Sequence, residues 1–435
     1  MLTSRVSNEK ERHLMAGLDR NAIVYQPKRR PDWAQEFLDV GHQIDARAVV
    51  PLDEESLLRC ATENTGLSDF GDDDWREPFR ILLSDLENTA ELNFFGRVMT
   101  RSDLLIHLEG RLQVIDWFKH HPEIEDEVIK EPVFIVGLPR SGTTIMQEIL
   151  GADPGARTVR MWEAKFSVPP PSPLDPKPDP RIAKAGGIVG LQDRITPEWA
   201  TMHKVGPELP VECIEWTYSS FVSYAFSASF YVPNYTKYVA GNDHASAFEW
   251  HKKVLKLLQS TGQPHHWLLK GPTHLPVLHA LFDAYPDAKL ALMLRDPVKA
   301  AASVVDVSGV LYYMRSDNTK LGKGFGKSVD GKDTYQTLQD MIDWIEADTI
   351  PRDQIYPIDY LDFFAGPAAS LEKLYGEMGF PLSPESKQAM LDYIAAKPKD
   401  KFGKHNYATG DDEMIAAARD AFRPFQEYFG VQSEI

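Results

Sequence analysis

The sequence predicts a three-layer α/β domain with a central parallel sheet and a P-loop-like turn, preceded by a helical N-terminal region. Two observations carry this. Short continuous apolar runs recur between helical segments and end on basic residues, and one of them passes through a glycine-rich turn directly into a helix. Continuous apolar strands separated by helices mark a parallel sheet covered on both faces, and such sheets bind ligands at the carboxyl ends of their strands.

Residues 1–130 read as the helical region. Leu104, Leu108, Leu112, Ile115 and Phe118 recur at helical spacing, with Ser102 or Asp103 placed to cap the helix, and Leu57, Leu58 and Cys60 form a shorter amphipathic piece after Asp53. No convergent polar chemistry occurs there, so the region reads as a lid or packing element. The texture changes at Glu131, and residues 131–435 read as the second unit. Val133 to Val136 is the first strand, followed by the turn and by helical Thr144 to Leu150. Trp267 to Leu269 ends at Lys270, and Leu290 to Leu294 ends at Arg295. A fourth strand, Ile355 to Tyr360, contains Pro357, which demotes it to a sheet edge. The proline-rich stretch 167–180 is an extended loop, and residues 320–332 interleave glycines and lysines in a second irregular segment.

Composition narrows the function. A formal charge of −17 argues against a nucleic-acid surface. The two cysteines, Cys60 and Cys213, lie far apart in no metal spacing and fit a reducing compartment. The charged stretch Met1 to Asn21 has no apolar core of a signal peptide, and no run is long and apolar enough for a membrane span. The expectation is a cytoplasmic protein without an integral membrane segment, its oligomeric state unspecified.

Gly137-Leu138-Pro139-Arg140-Ser141-Gly142-Thr143-Thr144 lies between strand and helix, where free backbone N–H groups and the positive helix end face an anion. It nearly matches the triphosphate loop G-x-x-x-x-G-K-[ST], but Thr143 replaces the lysine that reaches the β- and γ-phosphates. With Arg140 as cation, the loop suits a single 5′-phosphate. Gly322 to Ser328 imitates the same motif without a preceding strand and reads as a basic loop.

This loop, together with several segments C-terminal to it, resembles the PAPS-dependent sulfotransferases (PAPS is 3′-phosphoadenosine 5′-phosphosulfate), in particular the bacterial group with a helical N-terminal extension. Pro139 to Thr144 matches the P-[KR]-[ST]-G-T-T loop for the 5′-phosphosulfate, so Pro139, Arg140, Ser141, Gly142, Thr143 and Thr144 are implied to bind it. Arg295 and Ser303, eight residues apart, match the pair that holds the 3′-phosphate. Leu268 to Leu275 is similar to the group's L-K-[SA]-P-x-H-L, with Gly271 in place of the small residue. Tyr360-Leu361-Asp362-Phe363 is similar to the Y-x-D-L segment near the adenine. Lys399 to Tyr407 resembles a closing loop over the 3′-phosphate, with Lys401, Lys404 and His405 as its basic groups and lysines where arginines are usual. The resemblance implies PAPS as co-substrate, PAP as product and no required metal.

Sulfuryl transfer rests on positioning and on stabilising charge that develops on oxygen. Arg140 and Lys270 are suited to the leaving oxygen. Two bases remain open. Glu163, just past the phosphate-loop helix, is similar in position to the glutamate of the tyrosylprotein branch and is preferred; the other reading pairs it with Arg157 or Arg160. His274 follows Lys270 by four residues, where the eukaryotic cytosolic branch has two, and its other reading is a helix cap. His203 and Glu208 are acceptor-side groups or parts of a structured turn. The aromatic-rich stretch 214–238, read as a helical hairpin, either lines an apolar pocket for a phenol, sterol or lipid alcohol, or packs against the sheet. The rival readings are a P-loop small-molecule kinase and a non-catalytic nucleotide-binding protein of the same fold. Thr143 counts against the first, and intact Arg140, Lys270, Arg295 and Ser303 count against the second.

Overall fold

The computed structural model describes residues 25, 27–172, 174–262, 265–318, 331–397 and 412–435. Five strands, β1 (Val133–Gly137), β2 (Ala156–Arg157), β3 (His266–Lys270), β4 (Lys289–Leu294) and β5 (Ile355–Asp359), form one parallel sheet in the order β2-β3-β1-β4-β5. Ile135 stands opposite Lys270, and Gly137 opposite Met293. The phosphate loop therefore leaves the central strand between the ends of β3 and β4, which is where crossovers to the two sides diverge.

Strand side chains alternate between two cores, as a period of two requires. Phe134, Val136, Trp267, Leu269, Leu290 and Leu292 meet Val254, Leu278 and Phe422 from helices on one face. Val133, Ile135, Leu268, Ala291 and Met293 meet Met146, Ile149, Leu371 and Leu374 from helices on the other. That is the three-layer arrangement, and burial on both faces explains why these strands read as unbroken apolar runs. β5, with Pro357, is indeed an edge strand. The two-residue β2 has no apolar run to announce it.

The helices Glu54–Thr65, Arg76–Asn88 and Phe94–His120 carry the N-terminal region. The last begins earlier than expected. Asn93 caps it, its side-chain oxygen accepting from the Gly96 amide at 2.8 Å, so Ser102 and Asp103 lie inside the helix. Leu57, Trp75, Phe79, Leu108 and Leu112 share one core with Phe221, Phe226, Phe230 and Tyr235. Packing thus runs across residue 130. Much of the aromatic stretch is core, set against the N-terminal helices rather than the sheet, and it forms short helices (Ile214–Thr217, Tyr224–Ser229, Pro233–Ala240) instead of a hairpin. The triphosphate-like segment Gly322 to Ser328 lies outside the described residues. Among the described residues no helix is long and apolar enough to cross a membrane.

Candidate functional site

The turn after β1 is shaped by positive φ. Gly137 has φ +153°, Arg140 +71° and Gly142 +103°. A Cβ on Gly137 would lie 2.6 Å from the Met293 carbonyl oxygen, and one on Gly142 would lie 2.7 Å from Tyr360 Cδ2. Only glycine fits a conformation so crowded and so far from ordinary L-residue space. Gly137→Ala is expected to lower the unfolding free energy by about 1–3 kcal/mol or more, read from urea denaturation.

Within this turn Ser141 Oγ is buried and has no hydrogen-bond partner among the described residues. A buried hydroxyl left unpaired is costly, so the loop fits an anionic oxygen supplied from outside the chain. Gly142 caps the helix Thr143–Leu150, whose N-terminal amides face the same place. Pro139 and Arg140 are exposed on the loop, and Thr143 is buried below it. Arg140 Nη1 donates to the Met202 carbonyl oxygen at 3.1 Å, which brings the 202–203 segment over the loop.

Lys270, at the end of β3, is buried, and its Nζ donates to Thr144 Oγ1 at 3.1 Å and to Glu212 Oε1 at 2.8 Å. A buried ammonium needs such a partner. Burial raises the Glu212 carboxyl, but the Lys270 ammonium outweighs it and holds Glu212 below the usual carboxylate value. Burial and the Lys270 charge together lower the His203 imidazole, so it is neutral near pH 7. Glu212 is the residue sequence reasoning missed. It reaches the site because the Cys213 amide donates to the Lys270 carbonyl at 2.8 Å, a contact between distant parts of the chain with no local signature.

The two expected bases sit differently. Glu163 is buried and committed: its oxygens accept from Arg157 at 2.6 and 3.0 Å and from the Arg160 amide at 2.8 Å. This ion pair and helix start fill three of the roughly four lone-pair sites of the carboxylate and match the other reading of Glu163, a partner of Arg157. His274 is buried among Phe134, Phe248 and His251, its Nε2 without a hydrogen-bond partner among the described residues, and burial pushes its pKa down to about 4. A Cβ on Gly271 would lie 2.4 Å from His274 Cδ2, which accounts for glycine at that position. Cys213, His251 and His274 also bring ligand-type atoms within 4.8 Å of one another, all buried, a grouping that no spacing in the sequence reveals.

On the other side of β1, Arg295 Nη1 donates to the Arg140 carbonyl at 3.2 Å, and its guanidinium lies 4.2 Å from the centre of the Tyr360 ring. Tyr360 packs on Gly142, so phosphate loop, arginine and tyrosine are contiguous. Arg295 also forms an ion pair with Glu434 that was not expected. Ser303 stands on the helix Pro297–Tyr313, its side chain outside the described set, and Lys401, Lys404 and His405 lie outside the described residues. Beside His274 lies a small crevice of about 30 Å³ lined by Ile214, Val222, Phe248 and Val277 together with Thr217, Ser223 and His244.

The sulfotransferase family profile matches residues 132–384, which holds the sheet, the phosphate loop, Lys270 and Arg295. The chain is 27% identical to sulfotransferase STF1 from Mycobacterium tuberculosis H37Rv and superposes with a TM-score of 0.71, covering 86% of this chain and 98% of that one. Sulfotransferase STF9 from Mycobacterium avium gives a TM-score of 0.75 at 24% identity, over 88% and 97% of the two chains, and shares the fold. The omega-hydroxy-beta-dihydromenaquinone-9 sulfotransferase Stf3 of Mycobacterium bovis is 22% identical over 283 residues, 63% of this chain and 70% of its own. The basic strand ends and the glycine-shaped anion loop lie inside the matched region, and the chain belongs to the sulfotransferase family.

Proposed function

We propose that the protein transfers the sulfuryl group of PAPS to the hydroxyl of a small, apolar acceptor. The observation that carries this reading is the Thr144–Lys270–Glu212 chain, which puts a cation and a carboxylate side by side at the rim of the anion loop. Bound PAPS would supply the activated sulfuryl group. The loop from Pro139 to Thr144 holds its 5′-phosphosulfate, Arg295 and Ser303 hold the 3′-phosphate, and Tyr360 lies by the adenine. The family resemblance adds Lys401, Lys404 and His405, outside the described residues, as further 3′-phosphate groups.

Lys270 and Arg140 stabilise negative charge where the bond to the nucleotide breaks, an interaction that strengthens as the charge grows. Glu212 accepts the acceptor's hydroxyl proton; held ionised by Lys270, it is ready to do so at neutral pH. Neutral His203, beside both groups, orients the acceptor oxygen. His274 is not assigned the proton, because its ring is enclosed by Phe134, Phe248 and His251, whereas Glu212 is bonded to Lys270 beside the anion loop. It forms instead a wall of the crevice at Val222, Phe248 and Val277, which in this reading faces the apolar part of the acceptor. The Stf3 relative, named for its action on a hydroxylated menaquinone derivative, supports a lipid-like alcohol.

Thermal shifts with PAP, 5′-AMP and ATP with Mg²⁺, each at the same concentration, test cofactor choice. PAP is expected to stabilise most, by about 2.7 kcal/mol at a hundred times its Kd. A shift from 5′-AMP as large as that from PAP would remove the 3′-phosphate site, and a dominant ATP shift would favour a kinase.

A further inference from the structure

Arg295 lies one residue beyond β4 and Lys299 one helical turn further, and both converge on a single carboxylate. Arg295 Nε and Nη2 donate to Glu434 Oε1 and Oε2 at 2.7 and 3.1 Å, and Lys299 Nζ donates to Oε2 at 2.7 Å. Only 8% of the Glu434 side chain is exposed. The segment that carries it is hooked in place by its main chain. The Glu434 amide donates to Asp296 Oδ2 at 2.8 Å, Arg419 donates to the Ile435 carbonyl at 2.7 Å, and Gln426 donates to the Val431 carbonyl at 3.2 Å. Asp296 is itself held by Arg419 at 2.7 and 2.9 Å. The carboxylate is therefore delivered to the two cations by a fixed piece of backbone, not by a wandering surface side chain.

A guanidinium fork plus an ammonium around two oxygens is the donor set a phosphate monoester takes. The same guanidinium lies over Tyr360 and touches the phosphate loop through the Arg140 carbonyl. We propose that Glu434 is a built-in competitor for the 3′-phosphate of the nucleotide, so that residues 431–435 form a latch that must release Arg295 and Lys299 before PAPS is fully held. The inference rests on the assignment of Arg295 as 3′-phosphate anchor and goes beyond it by naming the group that occupies the anchor and a second cation, Lys299, that shares it. A binding-competent state populated only in part weakens the apparent affinity by that fraction. The penalty falls on ligands with a 3′-phosphate and not on those without one, which makes the latch a device of selective affinity.

Titration calorimetry of the full chain with PAP and with 5′-AMP tests this, using wild type, Glu434→Gln and Glu434→Ala. PAP is expected to bind both variants about 10-fold or more tightly than it binds wild type, while 5′-AMP affinity stays within about 2-fold. Hydrogen exchange on wild type supplies a readout that needs no variant: the Glu434 amide is expected to exchange faster when PAP is added, because its bond to Asp296 opens with the latch. Equal PAP affinity in all three proteins with unchanged exchange overturns the latch and leaves Glu434 a structural ion pair. Weaker PAP binding in Glu434→Gln overturns it too, by making Glu434 a support for Arg295. Binding of 5′-AMP with none of PAP to any of the three removes the 3′-phosphate assignment itself, and the latch with it.

Discussion

Replacing Lys270 by methionine is expected to lower kcat by about 10²–10³ while PAP affinity changes only a few-fold. Methionine keeps most of the buried volume, so the fold is disturbed less than by alanine. The expected split comes from where the ammonium sits. It is bonded to Thr144 at the start of the phosphate-loop helix and to Glu212, not to Arg295 or Tyr360 on the other side of β1. An interaction that matters only as the bond breaks lowers kcat and kcat/KM together. Arg295→Ala is the contrast, raising the KM for PAPS with less effect on kcat. A Lys270→Met enzyme with normal kcat and a raised KM would make Lys270 an anchor instead.

Glu212→Gln is expected to cost about 10²–10⁴ in kcat, the usual worth of a general base, and to bind PAP normally. Glu163→Gln is expected to do the reverse. Breaking its buried pair with Arg157 destabilises the protein, by about 3 kcal/mol, and leaves kcat near normal in the fraction that folds. The pH profile is set by the direction of the Glu212 shift. A base must be deprotonated, and a pKa held below the usual 4.5 keeps Glu212 ionised as pH falls, so the acid limb lies below pH 4.5. A histidine of ordinary pKa would bend the profile near about 6.5. His274, at about 4, would also bend low, so His274→Asn is the necessary companion. Loss of turnover in His274→Asn with Glu212→Gln active would return the proton to His274.

The legible parts of the sequence were those written in consecutive residues. β1, β3 and β4 are buried on both faces, so nearly every side chain in them is apolar and the runs stand out. Their basic ends, Lys270 and Arg295, and the glycines of the loop could be read for the same reason: a strand end and a positive φ each demand a particular residue at a particular place. Glu212 could not be read, because its role depends on a main-chain bond between residues 213 and 270. Glu434 was invisible for the same cause, meeting Arg295 from 139 residues away. Glu163 was ambiguous in the sequence because a carboxylate beside two arginines has the same local sequence whether it takes protons or forms an ion pair; its contacts with Arg157 and the Arg160 amide appear only in the fold. Most of the aromatic stretch went to the core, Phe221, Phe226, Phe230 and Tyr235 being buried there, while Tyr224 both packs on that core and lines the crevice beside His274.

The most direct test of the account traces label from PAPS carrying ³⁵S, incubated with the full chain and a panel of phenols, sterols and lipid alcohols. The account predicts that ³⁵S moves to at least one apolar alcohol with one PAP released per sulfate transferred, that no added metal is needed, and that Lys270→Met and Glu212→Gln each abolish most of the transfer while still binding PAP. Label that stays on the nucleotide across the panel, with γ-labelled ATP instead phosphorylating the same alcohols, would contradict it.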